Sequence, residues 1–134
     1  MSFVIDASIV AALAFAEASS PRIAAAIVEL ATSEGLAPSL FFFEVRNALV
    51  VNEKRGRITP QGSTDFLRRL TKLPIRIAPL PEEEVLMALA RERKLTVYAA
   101  AYLALAKREG LPLATLDRDL EKAAIAEGVA LFGA

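Results

Sequence analysis

The chain has 134 residues, with 16 basic and 16 acidic side chains and neither histidine nor cysteine. Such a length suits one domain with a proper core, residues 1–134. The missing residue types exclude imidazole bases, Ser-His-Asp triads, thiol nucleophiles, disulfide frames and Cys/His zinc sites, so any catalysis here must run on carboxylates and hydroxyls, with or without a hard metal ion.

In chain order, Phe3-Val4-Ile5 is a short apolar run that ends in Asp6 and reads as a buried strand. An apolar helix follows to about Glu17. The apolar run from Phe3 to Ala16 is 14 residues long and contains Asp6, whereas a membrane span needs about 20. With no basic residues ahead of it, it is not a secretory signal either, so a soluble, cytoplasmic protein is expected. Ser20 caps the next helix with Pro21 at its first position, and Gly35 is expected to close it. Pro38-Ser39 opens a third helix that reaches about Arg55. Thr59-Pro60 repeats the cap-plus-proline signal for a fourth, ending before Pro74, and Ile75–Ala78 alternates like a strand. Pro81 precedes a helix with Glu82, Glu83 and Glu84 in its first turn and Arg91, Arg93 and Lys94 in its last, a polarity that suits the helix dipole. Thr96 caps a helix running to Glu109 with Gly110 as its stop. Leu113–Leu116 is a second strand ending in an acid, Asp117. A last helix ends near Glu127, and Val129–Phe132 is expected as a final strand.

Strands alternating with helices predict an α/β domain around a mainly parallel sheet, whose ligands collect beyond the carboxyl ends of the strands. Asp6 and Asp117 stand at two such ends. Either one alone also reads as a helix cap. Glu44 is the third candidate. At about 100° per residue, Phe41, Val45, Ala48 and Leu49 form the core stripe of their helix, with Glu44 on its border and Asn47 next around. Asp6, Glu44 and Asp117, with Asp119 in reserve, make up a candidate oxygen-only cluster. Carboxylates gathered in one pocket repel each other and call for a proton or a divalent cation, and Mg²⁺ or Mn²⁺ suits such ligands.

The overall charge balance hides a sorted distribution. Residues 1–44 carry one base, Arg22, against five acids, whereas residues 45–76 carry eight bases against two acids. The basic segment reads either as solvated helix faces or as a wall for phosphates.

Four pieces together resemble a PIN domain: Val4-Ile5-Asp6-Ala7-Ser8; Pro38-Ser39-Leu40 through Glu44-Val45-Arg46-Asn47-Ala48-Leu49; Leu95-Thr96-Val97-Tyr98 with Ala101-Tyr102-Leu103-Ala104-Leu105-Ala106; and Ala114-Thr115-Leu116-Asp117-Arg118-Asp119. In size and spacing the chain is similar to the VapC-type toxins of bacterial toxin–antitoxin pairs. The resemblance implies a Mg²⁺- or Mn²⁺-dependent endoribonuclease that cuts structured RNA such as tRNA or ribosomal RNA. It also implies a VapB-type antitoxin as partner and a homodimer. Asp6, Glu44 and Asp117 become metal-site acids, and Ser8, Asn47 and Thr115 the groups that orient carboxylates or water. The chain departs from the pattern at one position: the family carries an aspartate after the residue matching Tyr98, and this chain has Ala99. Weak cation binding and little or no nuclease activity are therefore expected, as from an inactivating substitution.

The apolar fraction of 54% is high and suggests a face reserved for a partner. Phe43, Arg46 and Val50 fall opposite the core stripe, with Lys54 close by, forming an apolar patch with a basic rim. The resemblance makes this patch an antitoxin groove or a dimer contact. A receiver domain, a haloacid-dehalogenase-type phosphatase and a dinucleotide-binding domain all fail at Asp6-Ala7-Ser8, which lacks the second acid or the glycines they need. A non-catalytic PIN-like interaction module remains the alternative.

Overall fold

The computed structural model describes residues 1–15 and 20–134. The expected reach of the first helix to Glu17 lies outside the described residues. Four short strands, β1 (Phe3–Ile5), β2 (Gly35–Ala37), β3 (Ile75–Ile77) and β4 (Leu113–Ala114), form one sheet in the order β3-β2-β1-β4. Every pairing is parallel, with Val4 opposite both Leu36 and Leu113 and with Leu36 opposite Arg76. β1, β2 and β4 are buried along their whole length, as strands covered on both faces must be.

Among the described residues seven helices accompany the strands, six between them and one after the last: α1 (Ala7–Ala14), α2 (Pro21–Leu30), α3 (Leu40–Lys54), α4 (Pro60–Leu70), α5 (Glu83–Glu92), α6 (Val97–Glu109) and α7 (Arg118–Ala126). Three expected caps form as their chemistry dictates. Ser20 accepts from the Arg22 N–H, Thr59 from Gly62 and Thr96 from Ala99. Gly110 ends α6 in the left-handed conformation at φ 64°, which glycine adopts without strain. α6 packs on β1 and β4, α5 lies against α6, and α1 lies against α3. Phe41, Val45 and Leu49 form the buried stripe of α3, as its periodicity predicts.

Two expectations are corrected. Gly35 does not stop α2, which already ends at Leu30; it is the first residue of β2, an internal strand of the sheet. A β-carbon there would meet Ile5 Cγ2 at 3.1 Å and Leu30 Cδ2 at 3.4 Å, so the close approach of neighbours explains the glycine. The expected last strand, Val129–Phe132, is reduced to a single parallel bridge between Leu113 and Leu131. That segment is nevertheless anchored, since Phe132 stacks on Phe3 with ring centroids 4.4 Å apart.

Candidate active site

Asp6 leaves the end of β1, buried with 7% exposure. It occupies the cap position of α1 but makes no side-chain cap bond. Instead, Ser8 Oγ donates to Asp6 Oδ2 at 2.8 Å, and Thr115 Oγ1, just past β4, donates to the same oxygen at 2.6 Å. The hydroxyls are themselves held by backbone donors, Leu116 N–H on Ser8 Oγ and Asp117 N–H on Thr115 Oγ1, each at 3.0 Å. Two backbone-to-hydroxyl relays therefore fix one carboxylate across the β1/β4 pair.

Asp117, three residues past β4, is the cap residue of α7. Its Oδ1 caps α7, accepting from Asp119 N–H at 2.9 Å and Leu120 N–H at 3.2 Å, and its charge also reaches Asp6. Burial, and to a smaller extent the Asp117 charge, push the Asp6 carboxyl above its ordinary range, while the Thr115 and Ser8 hydrogen bonds pull it back.

Glu44, one turn into α3, is half-buried. Its partner is Tyr102 of α6, whose hydroxyl donates to Glu44 Oε1 at 2.5 Å. Burial raises the Glu44 pKa, the Tyr102 hydrogen bond lowers it and the Asp6 charge raises it again. Tyr102 is 1% exposed. Burial first, then the Asp6 charge, hold its phenol far above the usual range, so it stays a donor. Sequence reasoning left Tyr102 without a role. The available signal was a tyrosine in a run of buried small residues, because a buried phenol needs a polar partner.

Each of the three acids commits one oxygen to a protein donor: Asp6 Oδ2, Glu44 Oε1 and Asp117 Oδ1. The second oxygens carry none of these bonds. Hard, anionic oxygen donors around mutually repelling charges match a divalent cation in kind. Among the described residues no three acids converge into a ready-made cage, so an ion there would depend on water for much of its shell, as Mg²⁺ commonly does.

The other sequence candidates are less central. Ala99 lies in the first turn of α6, one turn before Tyr102, half-buried and without a ligating atom. Asn47 is exposed and its side chain joins no hydrogen bond among the described residues. Asp119 is exposed and borders a separate cleft with Lys94 and Lys122. Several residues of the basic segment have local work. Arg46 lies 3.5 Å over the Phe42 ring, Arg57 donates to Asn52 Oδ1, and Arg76 pairs with Glu34. Phe43, at 69% exposure, and Val50 are open on the outer face of α3.

A parallel α/β sheet with Asp6 and Asp117 just past two neighbouring strands and Glu44 on α3 defines the class, and the matching segment agrees with it. Residues 3–126 match the PIN domain family, and the chain belongs to it. The chain is 35% identical over 123 residues to Ribonuclease VapC3 of Pyrobaculum aerophilum, covering 90% of this chain and 92% of that protein. Its fold is also similar to the crystal structure of PAE2754 from Pyrobaculum aerophilum, with a TM-score of 0.71 and 28% identity, covering 92% of this chain and 84% of that one. No helix among the described residues is long and apolar enough to cross a membrane.

Proposed function

We propose that the chain is a VapC-type endoribonuclease whose Asp6, Glu44 and Asp117 hold Mg²⁺ or Mn²⁺, and that Ala99 leaves this site weakened. The observation that supports this reading best is the Asp6 carboxylate, fixed by two hydroxyls and electrostatically coupled to two further acids in a chain without histidine or cysteine. Bound there, the cation supplies an activated water and offsets charge on the attacked phosphate. The chain's own groups prepare the site. Ser8 and Thr115 aim Asp6, Tyr102 fixes Glu44 as a permanent donor, and the α7 cap fixes Asp117. Asn47, exposed on α3, is the further group to orient water, and Asp119, two residues after Asp117, is the reserve acid.

In this reading the substrate is a structured RNA such as tRNA or ribosomal RNA, cut in the cytoplasm by a single-domain protein that dimerises. A VapB-type antitoxin binds across the exposed Phe43, Arg46 and Val50 face. A second reading, a non-catalytic interaction module, draws on the alanine at position 99.

Ala99→Asp separates the two readings. The thermal midpoint of both chains is titrated with Mg²⁺ and Mn²⁺, and both are incubated with tRNA and ribosomal RNA. The enzyme reading expects a steeper metal-linked rise and metal-dependent cleavage in Ala99→Asp. If neither chain gains stability from the ions and Ala99→Asp cuts nothing, the module reading stands instead.

A further inference from the structure

Arg22 is the one basic residue among residues 1–44. It is the second residue of α2, where a cation opposes the helix dipole, so its use lies in what its side chain reaches. Nη1 of the guanidinium donates to the Thr115 carbonyl at 3.4 Å and to Glu121 Oε1, partners 93 and 99 residues away in sequence. The Arg22 side chain is 26% exposed and that of Glu121 18%, which sets the pair apart from solvated surface pairs that contribute little. The backbone of Arg22 is fixed as well. Ser20 Oγ accepts from its N–H at 3.3 Å, and Gly133 lies so close that a β-carbon there would stand 3.3 Å from Arg22 Cα.

The two acceptors bracket Asp117, Thr115 two residues before it and Glu121 four after. Thr115 gives its hydroxyl to Asp6 Oδ2 at 2.6 Å and receives the Asp117 N–H on the same oxygen at 3.0 Å. Glu121 belongs to the first turn of α7, with its N–H on the Asp117 carbonyl at 2.9 Å. On one side this segment is tied to β1, through the Asp6 N–H on the Ala114 carbonyl at 3.0 Å. On the other side β4 is the last strand of the sheet, where a single bridge joins Leu113 to Leu131. Arg22 supplies the tie that the sheet does not. That tie works against a force, because the Asp6 and Asp117 charges repel each other. A slack turn would let Asp117 swing away from Asp6.

We propose that Arg22 is a positioning residue of the acidic site: it clamps the β4–α7 turn, and so keeps the Thr115 hydroxyl on Asp6 and Asp117 within reach of an ion held by Asp6. The inference rests on the metal-site reading and adds to it a residue that bonds to none of the three acids. Glu121 answers the Arg22 charge, which distinguishes this arginine from one kept free for phosphate.

The test follows Mn²⁺ binding by the paramagnetic resonance of the free ion, and amide hydrogen exchange by NMR. Both are measured in the unsubstituted chain and in Ala99→Asp, each with and without the changes at Arg22. Arg22→Met removes both contacts and leaves Glu121 partly buried without its partner. The Mn²⁺ Kd is expected to rise by about 10-fold, the lower end of the loss when a group that orients a metal ligand is removed. Exchange should quicken at Leu116 and Asp117, whose N–H groups rest on Ser8 and Thr115, more than at the amides of β2. The deciding protein combines Arg22→Met with Glu121→Leu. Apolar groups in place of both partners restore the stability that a lone buried charge removes, but the Thr115 carbonyl stays unheld. Its thermal midpoint should return to that of the parent chain while the Mn²⁺ Kd stays raised. Recovery of Mn²⁺ affinity together with stability makes the pair purely structural and overturns the proposal. An unchanged Kd, or unchanged exchange at Leu116 and Asp117, in Arg22→Met also overturns it and leaves the metal-site reading standing. Parent chains that bind no Mn²⁺ overturn the metal-site reading and this role with it.

Discussion

The Tyr102 hydroxyl and the Glu44 carboxylate meet at 2.5 Å, 58 residues apart in sequence, and join α6 to α3 beside Asp6. Glu44 is thereby kept on the border of the core with its charge answered by a donor.

Removing that donor should be costly in a pH-dependent way. Tyr102→Phe leaves a half-buried carboxylate without its partner, a loss of about 1–3 kcal/mol while Glu44 is ionised. The Tyr102 bond lowers the Glu44 pKa, so its loss raises it further. Urea unfolding at several pH values should show the deficit largest near neutrality and shrinking in acid, as Glu44 takes up a proton. A deficit independent of pH would place the cost in packing instead.

Asp6 should show the opposite sign. Its folded pKa is raised, chiefly by burial, so the stability it contributes is full below the ordinary aspartate range and is lost as pH rises through the raised value. Asp6→Asn removes the ionised form. Its thermal midpoint near pH 7 should equal or exceed that of the unsubstituted chain, with the advantage vanishing in acid. The same substitution should abolish any Mg²⁺-linked rise. Equal destabilisation at both pH values would contradict this account.

Ser8 and Thr115 donate to one oxygen and should therefore be coupled. Ser8→Ala and Thr115→Val each remove one hydroxyl and free one backbone N–H, costing about 1 kcal/mol. The double variant should deviate from the sum of the singles by about 0.5–3 kcal/mol. Chemical denaturation of all four proteins measures this, and simple additivity would mean that the relays act independently.

Phe43→Glu probes the outer face of α3. With Phe43 largely exposed, stability should change by no more than about 0.5 kcal/mol, while self-association or capture of a VapB-type antitoxin is lost. Size-exclusion chromatography and a titration with the antitoxin give the result. Unfolding of the variant would move Phe43 into the core.

The parts of the fold that were legible in the sequence are those governed by local chemistry. The Ser20, Thr59 and Thr96 caps, the Phe41/Val45/Leu49 stripe and the acids closing β1 and β4 each follow from neighbouring residues. β2 was not legible, because Gly35-Leu36-Ala37 has no β-branched residue and no alternation. It is a strand because β1 and β3 lie on either side of it. Tyr102 was missed for a related reason, since its partner belongs to another helix and nothing near it in sequence announces Glu44. The basic segment stayed undecided between two readings, because Arg46, Arg57 and Arg76 look alike in composition and differ only in what folding brings to them.

α6 carries five alanines in 13 residues, and these small side chains let it lie deep against β1 and β4. Ala99 is the alanine at which the helix emerges from that interior. A change there alters the charge at the pocket's edge while the packed run from Ala100 to Ala106 is untouched. On the proposed reading, one codon would change the charge beside the acids while leaving the buried run from Ala100 to Ala106 as it is.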